Sequence, residues 1–164
     1  MKRGIEQAMR FKSSGNLAEI MEAISVQQQA VQLTPPGHAD MPMYLNSLGS
    51  SFMGRFERTG NVSDILEAVS AHQRAVQLTP NDHPDMPSLL NDLGNSLTRR
   101  FERTGNISDA SDAISVQRRA VQIIPNGQPN MPGLLSNLGI SLARRFESTG
   151  NFSDISEAIS SGKT

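Results

Sequence analysis

The chain has no cysteine and no tryptophan, a single tyrosine, and an aromatic share of 4% over 164 residues. Without cysteine there is no disulfide framework, no thiolate nucleophile and no Cys-based zinc site. Without large rings, a core must be assembled from Leu, Ile, Val, Met and Ala, which suits packed helices better than aromatic-rich strands. An excess of charge is lacking too. Lys and Arg number 15 against 16 Asp and Glu, a formal net charge of -1, so neither nucleic acid nor an anionic membrane is expected as a partner. No apolar run approaches the length of a bilayer span, and the opening MKRGIEQAMRF lacks the apolar block of a signal peptide. The expected setting is the cytoplasm.

What is present is repetition. Phe56-Glu57-Arg58-Thr59-Gly60-Asn61 returns at Phe101–Asn106, again as Phe146-Glu147-Ser148-Thr149-Gly150-Asn151, and more faintly at Phe11–Asn16, always 45 residues apart. Positions 46–90 and 91–135 share 26 identities in 45, which chance does not produce. The whole chain therefore reads as one domain: a partial repeat 1–41, full repeats 42–86 and 87–131, and a partial repeat 132–164.

Each period holds two amphipathic stretches. Leu45, Leu48, Phe52 and Phe56 recur at helical spacing, mirrored by Leu90, Leu93, Leu97 and Phe101 and by Leu135, Leu138, Leu142 and Phe146. This is helix A. Val62, Ile65, Val69 and Val76, with Ala68 and Ala75 beside them, form the stripe of helix B. Gly60, Gly105 and Gly150 fall where helix A must end. Asn61, Asn106 and Asn151 follow, each with Asp three residues on, which predicts a variant capping box. Pro35, Pro80 and Pro125 stop helix B, and Asp40, Asp85 and Asn130 stand where the next helix A needs a cap, ahead of a first-turn proline. Helices are predicted near 17–34, 42–59, 63–79, 87–104, 108–124 and 132–149. Phe56 and Phe101 should be buried between helices A and B, with Ala68 and Ala113 at close contacts. One such pair cannot bury its own stripe, whereas stacked pairs can.

These residues resemble the tetratricopeptide repeat (TPR) family. Leu48-Gly49, Phe52, Gly60, Ala68, Ala75 and Pro80 match its signature, and Leu93-Gly94 to Pro125 repeats the set with Leu97 for the aromatic. The departure is length, 45 residues against about 34. The long period is similar to fungal arrays associated with caspase-like CHAT or nucleotide-binding domains. The resemblance implies an all-α, right-handed α-solenoid of stacked antiparallel helix pairs, a TPR-like superhelix. It also implies a scaffold that binds a protein or an extended peptide on the concave face formed by helix A. The positions it points to are Asn46 and Ser50, then Asn91, Asp92 and Asn95, then Asn137. A side-chain amide both donates and accepts, so a column of amides suits a peptide backbone; the alternative is plain solvated surface, since Ser136 and Ile140 interrupt the column. Arg99 and Arg144 would give that groove a local basic end, with Gly54 as their counterpart in the preceding repeat.

Chemistry is hard to place. His38 and His83 occupy equivalent connector positions and His72 sits on helix B, none at ligand spacing from another. The terminal Gly162-Lys163-Thr164 lacks the leading glycine of a phosphate loop. Asn61, Asn106 and Asn151 each open a glycosylation sequon, but the same Asn is needed as a helix cap. Arg10, Arg55, Arg100 and Arg145 form a column that is expected to pair with Asp64, Asp109 and Asp154, or with Glu67, Asp112 and Glu157, on helix B. No enzyme, metal or cofactor is expected. The partial repeats at both ends predict incompletely covered faces at Ile20, Ile24 and Val31 and at Leu135, Leu142 and Ile155. Those faces lead to the expectation of a homo-oligomer, a closed two-fold dimer being favoured.

Overall fold

A computed structural model describes residues 17–125 and 127–161. The faint repeat at Phe11–Asn16, Arg10 and the terminal Gly162-Lys163-Thr164 lie outside these. The described residues form seven α-helices: α1 (Leu17–Leu33), α2 (Met41–Thr59), α3 (Val62–Leu78), α4 (Met86–Thr104), α5 (Ile107–Ile123), α6 (Met131–Thr149) and α7 (Phe152–Ser161). Every predicted boundary lies within a residue of the observed one. No strand occurs among the described residues. The chain divides into two units, Met1–Pro80, which holds α1 to α3, and Asn81–Thr164, which holds α4 to α7.

The repeated sequence reads as a closure device for a helical hairpin. Gly60, Gly105 and Gly150 adopt left-handed φ of 67°, 72° and 70°, and their N–H groups donate to the carbonyls of Phe56, Phe101 and Phe146 at 2.7 Å. A Cβ at Gly60 or Gly105 would meet nothing within 4 Å, so the backbone angle and not crowding demands glycine. The Thr59, Thr104 and Thr149 hydroxyls donate 2.8 Å bonds back to the carbonyls of Arg55, Arg100 and Arg145. Each also accepts the N–H of the following Asn, at 3.2 to 3.3 Å. The Asn side chain then caps helix B, accepting from Ser63, Ser108 or Ser153 N–H at 3.0 to 3.1 Å.

Two capping expectations need correcting. The acid three residues after each Asn does not turn back to the cap N–H, because the threonine hydroxyl already holds it. Asp64, Asp109 and Asp154 instead each take a two-pronged ion pair from the arginine column. Arg55 reaches Asp64 at 3.0 and 2.5 Å, Arg100 reaches Asp109 at 2.8 and 2.5 Å, and Arg145 reaches Asp154 at 2.9 and 2.6 Å. The three carboxylates are 1–3% exposed, so the planar fork satisfies both oxygens where water does not reach. The hydrogen bond to Asp64 raises Arg55 above its ordinary value, and the bond to Asp154 does the same for Arg145. At the start of helix A, Asp40, Asp85 and Asn130 lie in the αR region and make no side-chain cap. The turn is closed by the backbone: Met41, Met86 and Met131 N–H donate to the carbonyls of His38, His83 and Gln128 at 3.0 to 3.1 Å. His38 and His83 also accept, through Nδ1, the N–H of Asp40 and Asp85 at 3.2 Å. They belong to the connector.

In the first unit, Ile20 and Ile24 of α1 pack with Leu48 and Phe52 of α2 and Ala68 of α3. In the second, Ile114 of α5 packs with Leu138 and Leu142 of α6. Ala68 and Ala113 are fully buried, as expected. The two phenylalanines part company, however. Phe101 is buried, whereas Phe56 is only half-buried. Phe101 lines an open groove together with Arg144, Glu147 and Ser148 of α6. Val62 is exposed and Val76 half-buried, so the helix B stripe is narrower than its sequence pattern. The expected open faces are also partly wrong. Ile20, Ile24 and Leu142 are 1%, 3% and 0% exposed, because the neighbouring helix of the same unit covers them, while Val31, Leu135 and Ile155 are not fully covered.

Candidate functional site

The second unit sets two helices of the A kind, α4 and α6, beside each other. Leu89, Leu90, Leu93 and Leu97 point into the core. Polar residues at i, i+4 and i+8, namely Asn91, Asn95 and Arg99, fall together on another face of α4. On α6, Asn137, Ser141 and Arg144 are the residues that face α4.

Three polar rungs join the two helices along their length. The Asn137 amide donates to Asn91 Oδ1 at 2.9 Å. The hydroxyls of Thr98 and Ser141 share a buried hydrogen bond of 2.8 Å. Arg144 Nε pairs with Glu102 at 2.9 Å. A fourth bond comes from within the α4–α5 hairpin, where the buried Gln117 donates through Nε2 to Asn95 Oδ1 at 3.2 Å. Gln117 reaches that position by crossing directly over Gly94, where a Cβ would sit 2.5 Å from its Cγ. The glycine of the Leu-Gly pair is therefore required by close approach. In the first unit His72 crosses Gly49 in the same way, its ring 2.5 Å from where a Cβ would lie.

The residues expected on this face are thus brought together in part. Asn91 and Asn137 touch, and Asn95 is held by Gln117. Asp92 is half-buried on α4, while Asn46, half-buried, and Ser50, exposed, belong to α2 in the first unit. The expected basic end is corrected. Arg99 pairs with Glu102 at 3.0 Å, and Arg144 with both Glu102 and Glu147, the latter at 3.0 Å. Two arginines and two glutamates alternate, so the end is charged but neutral in sum. Arg144 titrates above its ordinary value, chiefly through its hydrogen bond to Glu147 and then through the charges of Glu147 and Glu102. Around this rail lies an open groove of about 480 Å³ lined by Arg99, Phe101, Glu102, Arg144, Glu147 and Ser148.

The sequence contained a signal for the acids, since Glu57, Glu102 and Glu147 recur beside the arginine column, three residues after the register position of Arg99 and Arg144. It held none for the amide rung. Asn91 and Asn137 are 46 residues apart, one off the 45-residue register, so a search by period pairs Asn91 with Ser136.

Among the described residues no group of three or more His, Cys, Asp or Glu could hold a metal ion. No helix among them is long and apolar enough to cross a membrane. What the face offers chemically is hydrogen bonding and paired charge on rigid helices.

No family model and no curated protein matches the chain. Solved structures do. The crystal structure of nearly identical TPR-like repeats from a kinesin light chain-type protein of Podosopora anserina superposes with a TM-score of 0.69 at 15% identity, covering 97% of this chain and 71% of that one. A singly substituted form of that same protein gives the same TM-score at 16% identity. A filament named DHF58 matches at a TM-score of 0.59 and 13% identity, covering 99% of this chain and 87% of the other. The fold is the all-α, TPR-like helical repeat.

Proposed function

We propose that this TPR-like chain is a protein-interaction scaffold and that the α4–α6 face of its second unit takes an extended peptide or a partner protein. The observation that carries the reading is the Asn137–Asn91 rung. Its single bond uses the donor of Asn137 and the acceptor of Asn91, which leaves a carbonyl at one end and an amide N–H₂ at the other. An extended backbone supplies the complementary pair. One such contact is worth only about 0.5–1.5 kcal/mol net, so affinity must also draw on the neighbouring groove over Phe101. The Arg99–Glu102–Arg144–Glu147 rail would there favour a segment carrying both signs of charge. The 45-residue period supports placing the chain with long-period arrays of the fungal kind.

The test is capture of binding peptides from a library on the 164-residue chain, followed by Asn91→Ala. That substitution should weaken capture severalfold while lowering the melting temperature little, because both amides are only half-buried. Asn95→Ala is a poor substitute, since it would orphan the buried Gln117 amide and cost about 1–3 kcal/mol of stability. Gln73→Ala, exposed on α3, is the control. Equal loss from the control, or none from Asn91→Ala, would move the site away from this face.

A further inference from the structure

The two asparagines of α4 have the same half of the carboxamide engaged. Asn91 Oδ1 accepts from Asn137 Nδ2 of α6 at 2.9 Å, and Asn95 Oδ1 accepts from Gln117 Nε2 of α5 at 3.2 Å. Among the described residues neither Asn91 Nδ2 nor Asn95 Nδ2 donates in return. Gln117 holds Asn95 this way for a physical reason. It is 1% exposed and its Oε1 is buried with no partner, so losing the bond to Asn95 would leave a buried carboxamide wholly unpaired. Both asparagines are only half-buried, and their N–H₂ groups are not among the buried atoms. The spacing of these two donors is informative. Residues at i and i+4 lie about 6 Å apart along a helix, and carbonyls on one side of an extended chain recur every second residue, about 6.7 Å apart. One turn further on, Arg99 has N–H donors left beyond the one given to Glu102. The neighbouring A-type helices lack such a pair: on α6 the Asn137 donor and the Ser141 hydroxyl are already bonded, and α2 carries the shorter Ser50 where α4 has Asn95.

We infer that α4 reads a peptide through its main-chain carbonyls, Asn91 and Asn95 donating to the C=O groups of residues n and n+2 of a segment extended along the helix. Gln117 and Asn137 are the positioning residues, since by occupying both Oδ1 atoms they leave each amide with only its donor to offer. The inference rests on the peptide-binding reading above and adds to it the edge of the peptide that is read and the spacing at which it is read. The Asn137 carbonyl remains for the N–H of residue n, which an extended residue projects to the same side as its C=O. Contacts of this kind tolerate most side chains but demand a conformation. A β-extended segment meets the spacing, whereas a polyproline II segment, whose carbonyls rotate around the chain, does not. The ligand class is therefore an extended, proline-poor peptide.

The probe is the peptide most enriched in the library capture, labelled and titrated with the 164-residue chain by fluorescence anisotropy. Asn95→Asp is the deciding variant. It keeps an oxygen for Gln117 and replaces the donor with a second acceptor, so the melting temperature should stay near that of the parent while binding falls about tenfold. Asn91→Asp should do the same, with Asn137 in the place of Gln117. Both losses should persist in about 1 M NaCl, where charges are screened beyond about 3 Å, because salt cannot restore a missing donor. In ¹⁵N-resolved spectra the side-chain amide protons of Asn91 and Asn95 should move downfield together as the peptide is added. Binding that is weakened by Asn91→Ala but untouched by Asn95→Asp would leave the peptide face standing and overturn the two-carbonyl register. Recovery of Asn95→Asp at high salt, shifts confined to Asn91, or a captured pool rich in proline would overturn it as well. Failure to capture any peptide would remove both readings together.

Discussion

The α2–α3 hairpin of the first unit and the α4–α5 hairpin of the second are two writings of one sentence, and their differences are not scattered at random. Positions that close a hairpin on itself are unchanged. Arg55 and Arg100, Thr59 and Thr104, Gly60 and Gly105, Asn61 and Asn106, and Asp64 and Asp109 make the same bonds at nearly the same distances. Several positions that reach a neighbouring helix have changed. Thr98, bonded to Ser141 of α6, stands where the first hairpin has Met53, which packs on the apolar cluster with α1. Ser111, which accepts from Arg145 of α6 at 3.2 Å, replaces Leu66. Arg118, paired with Glu157 of α7, replaces Gln73. A repeat keeps its internal closure fixed and varies how it meets the next, because closure must work within every hairpin while each junction need suit only two.

If that contrast is right, removing the phenylalanine should expose it first. Phe101→Ala is expected to cost about 3–5 kcal/mol, whereas Phe56→Ala, half-buried to begin with, should cost clearly less. Equal losses in chemical denaturation would mean that the deeper burial of Phe101 contributes nothing. The ion pairs should behave in the opposite way. Asp64→Ala and Asp109→Ala each break a pair whose carboxylate is buried, at a cost of about 3 kcal/mol, and the two values should agree closely. A large disagreement would break the claim of identical closure.

The Leu-Gly glycines give a test of sign. Gly94→Ala and Gly49→Ala drive a methyl to within 2.5 Å of Gln117 and His72, and overpacking of this kind costs about 1–3 kcal/mol. Gly139 occupies the same register on α6, but a methyl there would meet nothing within 4 Å. At that position the helix propensity of alanine should win, and Gly139→Ala should stabilise by roughly 0.5–1 kcal/mol. Destabilisation at Gly139 would show that the register, and not the crossing side chain, dictates the glycine.

The smallest effect concerns the only tyrosine. Tyr44 donates to Asp40 at 3.1 Å, where the second hairpin has Leu89. Burial first, and then the bond to Asp40 and its charge, raise the phenol above its ordinary value of 10.0. A raised value favours the neutral phenol in the folded state. Its contribution to stability is therefore present below the unfolded value and lost as the pH rises through the folded one. A spectrophotometric titration reads this group alone; a midpoint at or below that of free tyrosine would contradict the contact.

The boundaries, the hairpin closure and the arginine–aspartate pairing were legible because each rests on contacts close in sequence. The glycine's left-handed angle, the Asn cap and the nine-residue reach from Arg55 to Asp64 depend on little beyond helical geometry and a short turn. The capping box was misread for a related reason. The sequence offers Asp64 two nearby partners, the cap N–H and Arg55, and a threonine hydroxyl that can serve one of them. Only the folded hairpin, which sets the guanidinium against a carboxylate shielded from water, decides how these groups are shared.

Periodicity, turn chemistry and the lack of cysteine and large aromatics determined an all-helical repeat with each hairpin locked by the same motif. The tertiary structure decided the rest: that Phe101 is buried and Phe56 only half-buried, that Arg99 and Arg144 are neutralised by Glu102 and Glu147, and that Asn91 meets Asn137 one residue out of register. Each of these depends on which helix lies alongside which. A pattern of residues along one chain specifies the faces of a helix, but only packing in three dimensions assigns each face its neighbour.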